Sequence, residues 1–159
     1  MIVYGPRDTR SKRFMAAIKM QPLGVFLASA NKAQYEALSL VFEQQQGADI
    51  VGGAMDTHGV LEGVPQCHTD ILLLDWELPV QSELFPGNGE SAPELAVPDL
   101  IKLLRSTMEK LHIIVLTLKP EIKCEALAAG ADAVVAKTSS PEKMLASLIN
   151  QINSRRSTV

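Results

Sequence analysis

The sequence predicts an α/β fold in which five parallel strands form a doubly wound sheet with helices on both faces. Three observations support this prediction. Five short apolar runs alternate along the chain with segments of helical periodicity, which is the pattern of repeated strand–helix units. The run at 71–74 is uninterrupted Ile-Leu-Leu-Leu, which is typical of a strand buried on both faces. The 159 residues, of which 47% are hydrophobic and 21% charged, suffice for one domain with a substantial core.

Residues 23–75 predict three strands and two helices. The strands are the short apolar segments 24–28, 49–54 and 69–75. A helix over 32–46 follows the first strand and ends at Gly47, because glycine is a common helix stop. The residues that its spacing predicts to face inward are Ala33, Ala37, Leu40 and Val41. A weaker helix at 59–64 is expected to be broken by Pro65.

Residues 80–97 interrupt this alternation, because they are rich in proline, glycine and polar residues and are long for a strand–helix connection. An insertion is therefore predicted there. Beyond it, helices are predicted over 100–111 and 121–129, and strands over 112–117 and 133–137. Gly130 ends the second of these helices, while Ser140 and Pro141 start a last one. The residues predicted to be buried in these three helices are Leu100, Leu103, Leu104, Met108, Cys124, Met144, Leu145, Leu148, Ile149 and Ile152.

The predicted domain covers 23–153, with an N-terminal extension at 1–22 and a short tail at 154–159. The extension carries a basic cluster followed by apolar residues, namely Arg7, Arg10, Lys12, Arg13, Phe14, Met15 and Ile18. This segment is either a docking arm or a frayed extension with solvated charges.

Composition and charge argue against several classes of protein. The formal charge of −3 argues against a dedicated nucleic-acid binder, and no partner of that kind is expected. No apolar stretch approaches the roughly 20 residues of a membrane helix, and the N-terminus lacks the layout of a signal peptide. The two cysteines, Cys67 and Cys124, have no metal-ligand spacing and indicate no disulfide framework. The expected location is therefore the cytoplasm.

Polar residues whose side chains could take part in binding or catalysis lie where four of the predicted strands end. Asp75, Thr117 and Lys137 close three strands, and Ser29 follows the first. The carboxyl ends of parallel strands meet at one edge of an open sheet, so a carboxylate, a hydroxyl and an ammonium are expected to meet there. Ser29 as a hydrolase nucleophile would need a nearby histidine, and none of the three in the chain is placed at this edge by the sequence pattern.

Four segments, in order, resemble the receiver domain of response regulators, the phospho-acceptor module of two-component signalling and phosphorelays. They are 70–79 (DILLLDWELP), 113–117 (IIVLT), 129–137 (AGADAVVAK) and 140–142 (SPE). The resemblance runs from about residue 23 to 152 and implies a flavodoxin-like, receiver-like (βα)5 fold. The segment 51–54 (VGGA) also resembles the second strand of receivers that are joined to helix-turn-helix domains.

The resemblance implies a role for several residues. Asp75 would be the phospho-acceptor, with Thr117 and Lys137 as contacts of the phosphoryl group. The family's acidic metal-binding pair falls on Ser29 and Ala30, and its aromatic switch residue falls on Val134. Because none of these three residues has the family's chemistry, the metal site and the switch are predicted to be degenerate.

Magnesium binding is expected to be weak or absent, since Mg²⁺ prefers carboxylate oxygens and only Asp75 and Glu77 are at hand. No other cofactor is expected.

The predicted function is that of a pseudo-receiver, a signalling module that binds proteins, is not an enzyme and is not controlled by Mg²⁺-dependent aspartyl phosphorylation. Its expected partners are other proteins or a second copy, bound through the face of the fourth helix, fifth strand and fifth helix at about 120–152, with a histidine kinase as a further partner. A second candidate surface is the insertion, and no membrane partner is expected.

Two alternatives remain open at this stage. One is a phosphorylatable response regulator with acceptor Asp75, the receiver part of a DNA-binding transcriptional regulator whose output half would follow Val159. The other is a small enzyme that uses the same crevice, for which no cofactor motif or catalytic base is found in the sequence.

Overall fold

The computed structural model describes residues 22–44, 47–80, 95–137, 143 and 146–151. Five strands form one parallel sheet in the order β2-β1-β3-β4-β5. The strands are β1 (Leu23–Ala28), β2 (Ala48–Ala54), β3 (Ile71–Asp75), β4 (His112–Thr117) and β5 (Ala133–Ala136). The helices are α1 (Lys32–Glu43), α2 (Thr57–Gln66), α3 (Val97–Thr107), α4 (Lys123–Ala129) and α5, whose described residues include 146–151. A short 3-10 helix, Pro120–Ile122, precedes α4. This is the flavodoxin-like order, so the predicted fold class is confirmed.

Helices cover both faces of the sheet because successive strand residues point to opposite sides. On one face, Phe26, Leu72 and Val115 pack with buried residues of α2, α3 and α4. On the other, Val25 and Leu73 pack with residues of α1 and α5, including Leu148. Strands β3 and β4 are buried on both faces, as their continuous apolar runs predict.

The inward face of α1 was predicted wrongly. The residues that reach the core are Leu38 and Phe42, whereas Ala33, Ala37 and Leu40 are exposed and Val41 is half-buried. The helix carries apolar residues around most of its circumference, so spacing alone did not identify the side that packs. The two large side chains, four residues apart, fill the core, and a second apolar strip is left facing outward.

Three further details of the helices correct the sequence prediction. Helix α2 begins at Thr57 and continues through Pro65 to Gln66, because Asp56 caps its N-terminus and the proline falls in its last turn. In α3, Leu103 is 40% exposed while Ile101 is buried. Cys124 is exposed on α4 and is not a core residue. The stop at Gly130, which has a φ of 124°, is as predicted. Helix α1 ends earlier than predicted, at Glu43 with Gln44 as its C-cap, so Gly47 lies beyond the end of the helix.

Several predicted features lie outside the described residues. These are the extension at 1–21, residues 81–94 of the insertion, the helix start at Ser140 and Pro141, and the tail. In the part of the chain that is described, no helix combines the length and the apolar character needed to cross a membrane.

Candidate functional site

The strand ends place the predicted site residues along one edge of the sheet. Strands β1 and β3 pair in register up to Ala28 and Leu74, so Ser29 and Asp75 follow at the same level. Asp75 is in register with Leu116, and Thr117 with Ala136, the residue before Lys137. The four positions therefore occupy the carboxyl edge of the sheet, where α/β proteins of this topology bind ligands.

Asp75 and Lys137 form a direct ion pair at this edge. The Nζ atom of Lys137 lies 2.6 Å from Oδ1 of Asp75, and the two side chains are only 11% and 6% exposed. The same Oδ1 accepts a hydrogen bond of 2.9 Å from the backbone amide of Glu77. The carboxylate thus has a cationic and a neutral donor on one oxygen, in a largely desolvated position where removal of either charge would leave the other uncompensated.

The backbone around this pair is held by the neighbouring strand. The amide of Trp76 donates to the carbonyl of Leu116 over 2.8 Å, which continues the β3–β4 ladder past Asp75. The amide of Lys137 donates to the carbonyl of Thr117 over 2.7 Å, which does the same for β4 and β5. Both members of the pair are therefore anchored through β4, and their approach does not depend on flexible connections.

Thr117 is buried at the end of β4, and its hydroxyl is used locally. It accepts a hydrogen bond of 2.9 Å from the amide of Lys119 and donates a longer one, 3.4 Å, to the carbonyl of the same residue. This is a turn-forming arrangement of a hydroxyl residue at a strand end. Thr117 lies at the predicted edge, yet the described hydrogen bonds of its side chain go to the loop rather than to Asp75.

Ser29 and Ala30 give a poor set of metal donors. Ser29 is fully buried, and its hydroxyl accepts from the amide of Asn31 at 3.2 Å and donates to the carbonyl of Asn31 at 3.3 Å. Asn31 in turn caps α1 by accepting from the amide of Gln34 at 3.0 Å. Ser29 is thus part of the turn that starts α1, and Ala30 offers no side-chain oxygen.

A magnesium ion does not fit the residues of this edge. Mg²⁺ requires near-octahedral oxygen ligands and is usually held by carboxylates and water. Among the described residues, no three His, Cys, Asp or Glu side chains are grouped closely enough to hold a metal ion. One oxygen of Asp75 is already shared by Lys137 and Glu77, and the side chain of Glu77 is on the surface. Val134 is half-buried against the core and is an aliphatic residue where the resemblance implies an aromatic one.

A second anchor at this edge was missed by the sequence reasoning. Thr57 is fully buried, its amide donates to the carbonyl of Pro79 at 3.0 Å, and its hydroxyl donates to the carbonyl of Val80 at 2.9 Å. These bonds fasten the chain after Asp75 to the start of α2, which Asp56 caps through a 2.7 Å bond from Gly59. The helix start was signalled, since an Asp-Thr pair shortly after a strand is a helix-start pattern, but the bonds to Pro79 and Val80 were not.

Two of the three histidines lie away from Ser29, whereas His58, in the first turn of α2, lies at the same edge of the sheet, where the sequence pattern places no histidine. His112 begins β4 and His68 lies just before β3, so both are at the edge of the sheet opposite to Ser29. His112 instead lies 3.7 Å from Asp132 through Nδ1. A serine-hydrolase arrangement therefore has no base from either of these residues.

Arg105 and Asp132 form a polar cluster at the opposite edge of the sheet, which the sequence also did not reveal. The guanidinium donates to the carboxylate of Asp132 at 2.6 Å, to the carbonyl of Gly130 at 3.1 and 2.8 Å, and to that of Leu111 at 2.7 Å. Asp132 also accepts from the amide of Ile113 at 2.8 Å. These bonds join α3, β4 and the end of α4, so the cluster is structural.

Solved structures of response-regulator receiver domains have the same fold. The isolated receiver domain of RcsB from Salmonella enterica serovar Typhimurium, with the phosphomimetic BeF3−, has a TM-score of 0.65 and 21% identity, covering 81% of this chain and 87% of that one. A CheY-like receiver domain protein from Methanospirillum hungatei has a TM-score of 0.68 and 16% identity, covering 87% of this chain and 100% of that one. RcsB bound to a promoter has a TM-score of 0.62 and 21% identity, covering 82% of this chain and 62% of that one.

No family model matches the chain, and no match is found among curated proteins. At these levels of identity the structural likeness shows the fold alone. The chain therefore has the receiver fold, as the order of its motifs predicts.

Proposed function

We propose that the protein is a pseudo-receiver, a signalling module with the receiver fold whose Asp75–Lys137 pair is a permanent ion pair rather than a phosphorylation site. The observation that carries this proposal is that Ser29 and Ala30, which follow β1 at the level of Asp75, supply no carboxylate. It is supported by the direct 2.6 Å contact between Asp75 and Lys137 in a buried position. The module then signals by binding other proteins.

Charge balance supports this reading of the site. An acyl phosphate on Asp75 would replace the single negative charge of the carboxylate with close to two on the phosphoryl group, in a largely buried position. Lys137 is the cation in direct contact with Asp75, and one ammonium cannot neutralise that charge alone. With no fitting set of metal ligands among the described residues, the phosphorylated state would be poorly stabilised.

The partner surface is proposed on the face of α4, β5 and α5, at about 120–152. Exposed apolar side chains support it, since Leu127 on α4 is 40% exposed and Leu118, just before the 3-10 helix, is 50% exposed. Exposed apolar residues make binding of another protein or of a second copy more favourable than an entirely polar surface would. The domain limits proposed with it are 23–153, between the extension 1–22 and the tail 154–159, with an insertion at about 80–97.

A phosphorylatable response regulator is the second candidate, because Asp75, Thr117 and Lys137 do lie at the same edge of the sheet. RcsB is a response regulator with a DNA-bound structure, and this chain covers 62% of that protein. On this reading the chain would act as the receiver part of a transcriptional regulator under a histidine kinase.

Beryllofluoride binding distinguishes the two candidates. The wild type is titrated with beryllofluoride and Mg²⁺, and the amide resonances of 112–137 are followed by NMR. The matched variant carries Ser29→Asp and Ala30→Asp, which supply the carboxylates that the edge lacks. We expect no binding by the wild type up to millimolar concentration and measurable binding by the variant. Micromolar binding by the wild type, with shifts of the amide resonances of Thr117 and Lys137, would contradict the proposal and support the second candidate.

A phosphotransfer assay checks the same point without a mimic. Wild type and Asp75→Asn are incubated with acetyl phosphate and Mg²⁺ and separated on a phosphate-affinity gel. The two proteins are expected to behave alike, and a retarded band that only the wild type shows would favour the regulator.

A further inference from the structure

The outward side of α1 carries an apolar strip that the described part of the domain does not cover. Ala33, Ala37 and Leu40 are exposed, and they share this side because residues three and four apart lie on one face of a helix. Leu40 is 59% exposed, the most of any large hydrophobic residue in the described part of the chain. The strip borders a shallow groove of about 330 Å³ that is lined by Tyr35, Glu36, Ser39 and Leu40. Helix α1 therefore presents a protruding apolar side chain and a groove next to each other.

The groove lies on the β2 side of α1. The ring of Tyr35 covers Gly53 of β2, where an added Cβ atom would collide with the ring. Strand β2 is at one edge of the sheet, and β5 is at the other. The groove is therefore a different surface from the face of α4, β5 and α5 that is proposed above for other proteins.

We propose that this surface binds a second copy of the chain, with the two α1 helices antiparallel about a two-fold axis beside Ala37. In such a pair the same flank of both helices meets, and residues equally far from the axis face each other. An axis between positions 37 and 38 places Leu40 of one copy at the level of Tyr35 of the other, where the groove lies. Each copy then supplies one leucine and one groove, so the contact is made twice. The small side chain of Ala37 at the axis allows the helices to approach to about 8 Å.

Charge favours this arrangement over a parallel one. Lys32 and Glu43 are the first and last residues of α1, about three turns apart, so they share one flank of the helix. Both are exposed, and neither has an ion-pair partner among the described residues. The proposed axis is midway between them, so Lys32 of each copy faces Glu43 of the other, whereas parallel helices would bring like charges together. Glu36 of the two copies lies near the axis on the same flank, and this repulsion opposes association.

Sedimentation over a range of concentrations tests the dimer. The full chain is studied by analytical ultracentrifugation from low micromolar to millimolar concentration. We expect a reversible monomer–dimer equilibrium for the wild type and a dissociation constant about tenfold higher for Leu40→Gln, which loses the apolar contact. The matched control is Leu103→Gln, at a leucine of α3 that is 40% exposed, which should keep the wild-type constant. A wild type that stays monomeric at millimolar concentration, or equal constants for Leu40→Gln and the wild type, would overturn the proposal.

An exchange of charges tests the antiparallel pairing. Lys32→Glu and Glu43→Lys each bring like charges together at both ends of the dimer, so each should raise the dissociation constant about tenfold. The double variant restores both ion pairs with reversed polarity and should return close to the wild-type constant. Each single change suits the helix dipole, so a weaker dimer does not reflect loss of the helix. Glu36→Gln should strengthen the dimer. A double variant that associates no better than the single ones, or a dimer weakened by Glu36→Gln, would refute the pairing.

Disulfide cross-linking measures the position of the axis independently. The exposed Cys124 is first replaced by serine, and this Cys124→Ser protein gives the background. Ala37→Cys should then form a linked dimer under mild oxidation, because the two copies of position 37 are expected within the roughly 7 Å between Cα atoms that a disulfide spans. Ala33→Cys, on the same strip but roughly 13 Å from its counterpart along the helices, should link about tenfold more slowly. Equal rates for the two variants, or linkage of Ala37→Cys no greater than the background, would overturn the proposal.

Discussion

Replacing Lys137 by methionine isolates the energetic role of the ion pair at the strand ends. The change removes the ammonium and keeps most of the side-chain length, so Asp75 stays in a site where it is only 6% exposed. Removal of one partner of a buried pair costs about 3 kcal/mol, because the remaining charge is desolvated without compensation. In a chain of this length that loss lowers Tm by about 6–12 °C. Asp75→Asn, which leaves the ammonium of Lys137 without its charged partner, should be destabilising for the same reason.

The double variant provides the matched control. Replacing both residues, Asp75→Asn with Lys137→Met, leaves no isolated charge, so its cost is expected to stay below about 1 kcal/mol. The coupling free energy between the two positions would then be several kcal/mol. Urea unfolding followed by circular dichroism measures all four proteins, with an unchanged m-value as the check that the unfolding reaction is the same. If Asp75→Asn is as stable as the wild type or more stable, the pair is not structural, and the reasoning is refuted.

Two other substitutions test the anchors that the sequence did not reveal. Thr57→Val removes the hydroxyl that donates to Val80 and should cost about 1–2 kcal/mol in thermal unfolding, whereas Thr107→Val, at an exposed helical threonine, should cost clearly less. Arg105→Met removes several donors to backbone carbonyls and should lower the free energy of unfolding by roughly 2 kcal/mol, against almost no loss for the exposed Lys102→Met on the same helix. If a variant and its control lose the same stability, the structural role assigned to Thr57 or Arg105 is contradicted.

The fold was predictable because its strongest signals are local. The uninterrupted runs of β3 and β4 imply burial on both sides, and Gly130, with a positive φ, ends α4 where the sequence predicts. The convergence of Asp75, Thr117 and Lys137 at one edge follows from the parallel topology alone.

The errors arose where tertiary packing selects among local possibilities. Helix α1 is apolar on more than one side, so its sequence permits several packed faces, and the sheet selects Leu38 and Phe42. The hydroxyl of Thr117 could be placed at the site edge from sequence, but its hydrogen bonds to Lys119 depend on the course of the following loop. The bond from the hydroxyl of Thr57 to the carbonyl of Val80 joins residues 23 positions apart, a pairing that no local pattern encodes.

Because of the ion pair, the presence of Asp75 and Lys137 is only weak evidence that the protein is phosphorylated. Since loss of either one alone strands a buried charge, a chain that no longer transfers phosphate would still be destabilised by substituting either residue. Their presence is therefore expected from stability under both candidate functions. Ser29 and Ala30 are free of that constraint, since neither is charged and Ala30 is exposed. The discriminating positions are thus the two at the end of β1, and restoring carboxylates there tests the function more directly than removing Asp75.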